Sequence, residues 1–224
     1  MKLTTWKMTA SIVMALIVCL YIPFSVFATF TNPTTTNSNY DRGDAYDYMT
    51  SYTKNYNTAY YYFPADCTNF VSQILQEGGM SFTSRSTNPD YTYWYYYTSD
   101  WGWGRTATWT GAYEFSQHWA DVNGVGFKRA YRFTQYTVNS AITNFDTIYD
   151  DVWEGDIIQM VHNSDGHAYH SEAVYSFPLG GIKMAEHSGS NGDDFYDLLS
   201  ELQVDQNLGL GTDKVNVIQI KYGS

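Results

Sequence analysis

The hydrophobic positions of this chain change period partway along its length. In residues 41–55, Ala45, Tyr48, Met49 and Tyr52, continued by Tyr56, recur at spacings of three and four, the stripe of an amphipathic helix. A second helical stripe, Phe70, Val71, Ile74 and Leu75, runs until Gly78 and Gly79 stop it, with Asp66 where an N-cap is expected. Residues 112–120 and 140–148 read as shorter helices. From residue 156 the pattern turns to strands at 156–161, 170–177, 182–187 and 215–222, the last alternating through Ile218, Ile220 and Tyr222. Helices first and an antiparallel sheet after predict an α+β fold. Between 81 and 110 no period holds. There 91-YTYWYYYTSDWGWGRTATWT-110 reads as a long aromatic loop, and loops of that length are usually functional or mobile.

The N-terminus carries a different pattern. Lys2 and Lys7 precede an apolar run broken only by Ser11 and Pro23, and 26-VFA-28 follows. This predicts a secretory signal over residues 1–28, a polar flexible lead-in over 29–39 (TFTNPTTTNSN) and one domain over 40–224, hence an extracellular protein. The apolar run falls short of the roughly 20 residues that span a bilayer. Val18 before Cys19 is not the small residue that precedes a lipid-modified cysteine, so Cys19 is expected to leave with the signal. Cys67 then remains as the single thiol, which excludes an internal disulfide and a multi-thiolate zinc site.

Charge narrows the partners. The formal net charge is -11, and loss of Lys2 and Lys7 makes it more negative. Nucleic acid and anionic membrane are poor partners for such a surface, and no membrane association is expected after signal removal. The 22 Tyr, 12 Phe and 7 Trp are either fillers of half-wet surface or the lining of an aromatic groove for sugar or peptide. Both readings stand at this point.

An exported chain that keeps one thiol at the first turn of a helix invites a chemical reading. A helix N-terminus favours thiolate over thiol, and the thiolate is the nucleophile. The alternative is a small hydrophobe packed under the helix. A cysteine nucleophile needs a base. His170 opens the strand-like 170-HSEAVYS-176, and His187 ends the next strand, so adjacent antiparallel strands would let His187 orient His170. His162 and His167, in 162-HNSDGH-167, read as exposed turn residues, and His118 beside Trp119 as a satisfied, half-buried one. The spacing HxxxxHxxH is not a familiar zinc pattern, so neither metal nor cofactor is expected.

The blocks 66-DCTNFVSQILQEGG-79, 108-TWTGAYEF-115, 155-GDIIQ-159, 170-HSEAV-174 and 187-HS-188 resemble, in order, those of the putative amidase domain family of exported Gram-positive bacterial proteins. That family is similar to the NlpC-type and CHAP cysteine peptidases. The resemblance spans 40–222 and implies a papain-like core with Cys67 and His170 catalytic and His187 in the place of the third, orienting residue. It also implies a tyrosine near the oxyanion, for which Tyr56 is nearest while Tyr60, Tyr61 and Tyr62 compete. Asp66 and Trp109 are the further oxyanion or substrate-binding candidates. The implied activity is amide hydrolysis through an acyl-enzyme by a monomer, with bacterial cell-wall peptides as substrate class. The position of His167 and the aromatic weight of 91–104 depart from the family pattern. Two other readings remain: a non-catalytic module that docks a glycan or protein in an aromatic groove, and a Cys-His acyltransferase with an amine acceptor.

Overall fold

A strand with apolar residues on alternate positions has two faces to bury, and here each face finds its own set of helices. A computed structural model describes residues 26–32, 34–97, 104–187 and 194–224. Residues 1–25 of the expected signal, 98–103 of the aromatic stretch and Ser188 of the last block lie outside the described residues. The chain runs β1 (Val26–Thr31), α1 (Arg42–Tyr52), α2 (Cys67–Glu77), α3 (Ala107–Thr110), α4 (Ala112–Ala120), β2 (Arg132–Thr137), α5 (Val138–Thr143), α6 (Phe145–Asp151) and β3 (Ile157–Val161). It continues through β4 (Ala168–Ser176), β5 (Lys183–Glu186), β6 (Asp194–Asp197), α7 (Leu198–Asp205), a π-helical turn (Gln206–Leu210) and β7 (Lys214–Gln219).

The strands form one antiparallel sheet in the order β1-β2-β7-β3-β4-β5-β6, and the fold is α+β as expected. The period-two pattern divides its core. Phe133, Ile157, Ala173, Ala185 and Ile218 pack under α1, α2 and α4. Their neighbours Ile158, Met160, Val174, Met184 and Val217 pack under α5, α6 and α7. Helices therefore cover both faces.

The helix expected over 140–148 is two helices, α5 and α6, which meet at Asn144; its side chain donates to the Ser140 carbonyl (2.8 Å). The lead-in expected to be flexible is partly a strand: residues 29–31 pair with β2 at the sheet edge, and the Phe30 ring lies 5.8 Å from that of Phe133. Three residues are too few for a period to show in the sequence.

A buried ion pair fixes α1 to the sheet. Arg42 Nη1 lies 3.0 Å from Asp156 Oδ1, and Arg42 also donates to the carbonyls of Glu154, Lys221 and Gly223. Just before Asp156, Gly155 has φ +79 and its Cα faces the Tyr40 hydroxyl, so a side chain would be strained and would collide there.

Among the described residues, part of the aromatic excursion is core. Trp94, Tyr95, Tyr96 and Trp109 are buried; the Phe82 ring meets those of Trp94 and Trp109 edge-on, and the two indoles lie tilted against each other. Those rings cannot line a groove; the exposed aromatics near the head of α2 are Tyr56, Tyr61 and Tyr62.

Candidate active site

Helix α2 is the fixed point of the site, and its polar residues hold it there. Thr68, Asn69, Ser72 and Gln73 are buried, and each has a partner. The Thr68 hydroxyl meets that of Ser171 on β4 (2.9 Å). Asn69 Nδ2 donates to the Tyr61 carbonyl (3.0 Å), and its Oδ1 accepts from Trp109 Nε1 (2.8 Å). Ser72 Oγ donates to the Trp109 carbonyl and accepts from Trp94 Nε1, while Gln73 accepts from the Tyr48 hydroxyl (2.6 Å). A buried polar group without a partner costs about 1–3 kcal/mol, so these pairings fix the helix in one position.

Cys67 is the first residue of α2 and is partly buried. The imidazole of His170 stands against its sulfur, with the Thr68 hydroxyl 3.7 Å away. Burial pushes the thiol up, but the hydrogen bond and charge of His170, with bonds from Thr68 and the Ser171 backbone, bring it below the ordinary thiol value. Burial alone would lower His170. Its bonds to Cys67 and Glu186, and the charges of Cys67 and Glu172, instead raise it to about 11. Both shifts favour the thiolate–imidazolium form of the pair.

His170 Nε2 is held by the carboxylate of Glu186 on β5, which leaves Nδ1 for the sulfur. The pairing Ala173↔Ala185 and Val174↔Met184, continued by one step, sets Glu186 opposite Glu172, on the face that also carries His170. One extra residue in β4 bulges the strand immediately before His170, an irregularity that re-aims a side chain.

That parity corrects the expected orienting residue. His187 follows Glu186 and points to the opposite face, where its ring stacks on Phe70 (centroids 3.8 Å apart). Its nitrogens meet Asp66 Oδ2 (2.9 Å) and the Tyr52 carbonyl (2.7 Å). It braces α1 and α2 and does not touch the His170 ring.

Asp66 sits at the N-cap position without capping, and it is buried rather than open to substrate. Its carboxylate takes His187, the Phe63 N–H (3.0 Å) and the Asn69 amide (2.9 Å). Trp109, fully buried and bonded to Asn69, is likewise a core residue and not a substrate contact. Tyr56 is 40 % exposed and packs edge-on against Tyr62 and His187.

His162 and His167 lie at the surface beside Asp213 and Asp165. His118 is buried, with Nδ1 on the Tyr91 carbonyl (2.9 Å). Sequence reasoning missed Glu186. The signal was available, since residues 182, 184 and 186 share a parity that 187 does not.

Behind the imidazole lies a second acidic group. Glu172 on β4 is fully buried, and neither of its oxygens has a hydrogen-bond donor; Oε2 of Glu201 on α7 is also without one. Burial, then the charge of Glu201, raises Glu172 far above the carboxylate range, and burial raises Glu201 to about 7. Among the described residues, His170, Glu172 and Glu201 form the group whose side chains could hold a cation, their ligand atoms all within 4.8 Å of one another.

A family model described as "Putative amidase domain" matches residues 39–208, most of the chain, including Cys67, His170, Glu172, Glu186, His187 and Glu201. No curated protein and no solved structure gives a match.

Proposed function

The chain belongs to the putative amidase domain family, and from that membership we propose that it hydrolyses amide bonds with Cys67 as nucleophile and His170 as acid and base. One observation carries this reading: a partly buried thiol at a helix N-terminus faces an imidazole whose far nitrogen is held by a carboxylate. Nucleophile, base and orienting group are the parts an activated thiol requires.

The proposed steps are these. The thiolate attacks the amide carbonyl, and the negative oxygen is received by backbone N–H groups at the first turn of α2. No side-chain cap occupies them, because Asp66 is committed to His187 and Asn69. Each such donor supplies about 3 kcal/mol to the transition state. The His170 imidazolium then gives its proton to the leaving amine, and a thioester remains on Cys67. A water, deprotonated by the now neutral His170, hydrolyses the thioester. Glu186 holds the ring and balances its charge throughout.

The finer reading is an exported enzyme acting on peptides of the bacterial cell wall. The N-terminal pattern of Lys2, Lys7, an apolar run and Ala28 supports export. The wall-peptide substrate rests on the family resemblance together with export. The experiment is incubation of purified protein with muropeptides and wall-derived peptides, read by mass spectrometry beside Cys67→Ala. Mass changes of amide hydrolysis with the native protein alone are expected; equal turnover by Cys67→Ala would end the assignment.

A further inference from the structure

Glu172 is the least explained side chain near the site. It is an acid with no exposed surface and no donor from any other residue on either oxygen, and it shares a carboxyl–carboxylate contact with a second acid, Glu201. Burying two acids side by side is costly, since each carboxylate taken from water costs several kcal/mol, and here the imidazole of His170 is the cationic partner they face. No Lys or Arg supplies another: among the described residues, the Lys and Arg ion pairs engage Asp156, Asp194, Asp121 and Asp151. Around the imidazole of His170 stand Glu186 on β5, Glu172 on β4 and Glu201 on α7, with Asp205 one turn further along α7. The pocket is thus strongly acidic, built from three separate elements, and offers one nitrogen among its oxygens.

We propose that His170, Glu172 and Glu201 form a binding site for one divalent transition-metal ion of the Zn2+ type, and that the ion acts as a reversible off-switch. Zn2+ takes imidazole nitrogen at about 2.0–2.1 Å and carboxylate oxygen at about 2.0–2.2 Å, usually with three protein ligands and one open position. Ligand atoms already within 4.8 Å of one another need only a small inward shift of flexible glutamate ends to reach that geometry. An imidazole ligand favours this class over Mg2+ or Ca2+, which take oxygen cages. The ion takes the place of the proton that Glu172 and Glu201 otherwise share, and satisfies the remaining oxygens of Glu172.

The consequence for turnover rests on the reading of His170 as acid and base. An ion on Nε2 displaces Glu186 and occupies the lone pair that the imidazolium would otherwise share with a proton. The ring then holds its one proton on Nδ1, facing Cys67, and has no lone pair left to take a proton from the thiol or from water, so it no longer serves as the base.

The test is titration calorimetry with ZnCl2 on Cys67→Ser protein, because the native thiolate would ligate zinc by itself. One site is expected. Glu172→Gln and Glu201→Gln should each weaken it by about 10-fold or more, as loss of groups that hold or orient a metal does. The double change His162→Ala/His167→Ala should leave it intact. Co2+ in the same Cys67→Ser protein should give visible absorption of a nitrogen and oxygen ligand set, lost in Glu201→Gln. That variant decides the matter if Glu172→Gln fails to fold. Absence of binding below about 100 μM, unchanged affinity in the glutamine variants, or loss of binding in the double histidine variant overturns the site. Hydrolysis by chelator-treated native protein is a separate readout: hydrolysis without a zinc site removes the switch alone, and a zinc site without hydrolysis removes the amidase reading alone.

Discussion

At the scale of single residues, adjacent Glu186 and His187 have opposite duties because a strand turns successive side chains to opposite faces. Glu186 shares a face with His170; His187 joins Phe70, Asp66 and Tyr52 on the other. Glu186→Gln should therefore lower the turnover rate by about 100-fold or more, as loss of acid–base support does, with the melting temperature little changed. His187→Ala should do the reverse, costing about 1–3 kcal/mol in urea unfolding for two lost hydrogen bonds in the interior, while alkylation of Cys67 by iodoacetamide keeps its rate in the folded protein. If His187→Ala slowed alkylation and Glu186→Gln did not, the assignments would have to be exchanged. Cys67 and His170 were both legible in the sequence, because a lone thiol at a helix start and a histidine opening a strand are local patterns. Glu186 was not read: its parity with Ile182 and Met184 marks its face, but which face His170 shares is settled by pairing between strands.

At the scale of elements, the long helices and four of the seven strands could be read from periodicity, whereas β1, β2, β6 and α7 could not. β6 has four residues and α7 eight, too few for a stripe to rise above chance. The aromatic excursion was misleading for another reason: Trp94, Tyr95 and Tyr96 are buried without belonging to any helix or strand, so no period announces their burial. Two elements carry stability predictions. Arg42→Leu at the head of α1 leaves Asp156 as an unpaired interior charge and should cost about 3–5 kcal/mol by denaturant unfolding. In α4, burial lowers His118 to about 3, below its value of about 6.5 in the unfolded chain. The unfolded chain thus binds the extra proton between those values, so stability is full above pH 6.5 and falls as the medium is acidified toward 3. The slope from this residue should approach about 1.4 kcal/mol per pH unit, and His118→Gln, measured by thermal unfolding at several pH values, should remove it.

At the scale of the whole molecule, the surface charge bears on what the site can reach. A net charge of -11 repels polyanions at long range, and salt screens that repulsion over about 10 Å at 0.1 M. Hydrolysis of intact, anionic wall material should therefore rise with ionic strength, while hydrolysis of small neutral peptides by the same protein should not. Equal salt dependence for both would separate the charge from substrate access.

The first strand also sets an order of events. The backbone of β1 pairs with β2 from Val26 to Thr31, so the bond after Ala28, where a signal peptidase would cut, lies inside a hydrogen-bonded ladder. A peptidase must hold the bond it cuts as a free extended segment, and a chain cannot lie in that cleft and in the sheet at once. If the proposed leader is cut there, its removal has to come before the sheet edge closes. Afterwards only residues 29–31 remain to cover Thr134, Phe133 and Arg132, leaving the backbone opposite Gln135 and Tyr136 uncovered. Cleavage at that bond would thus leave a short, unguarded rim at the edge of the sheet.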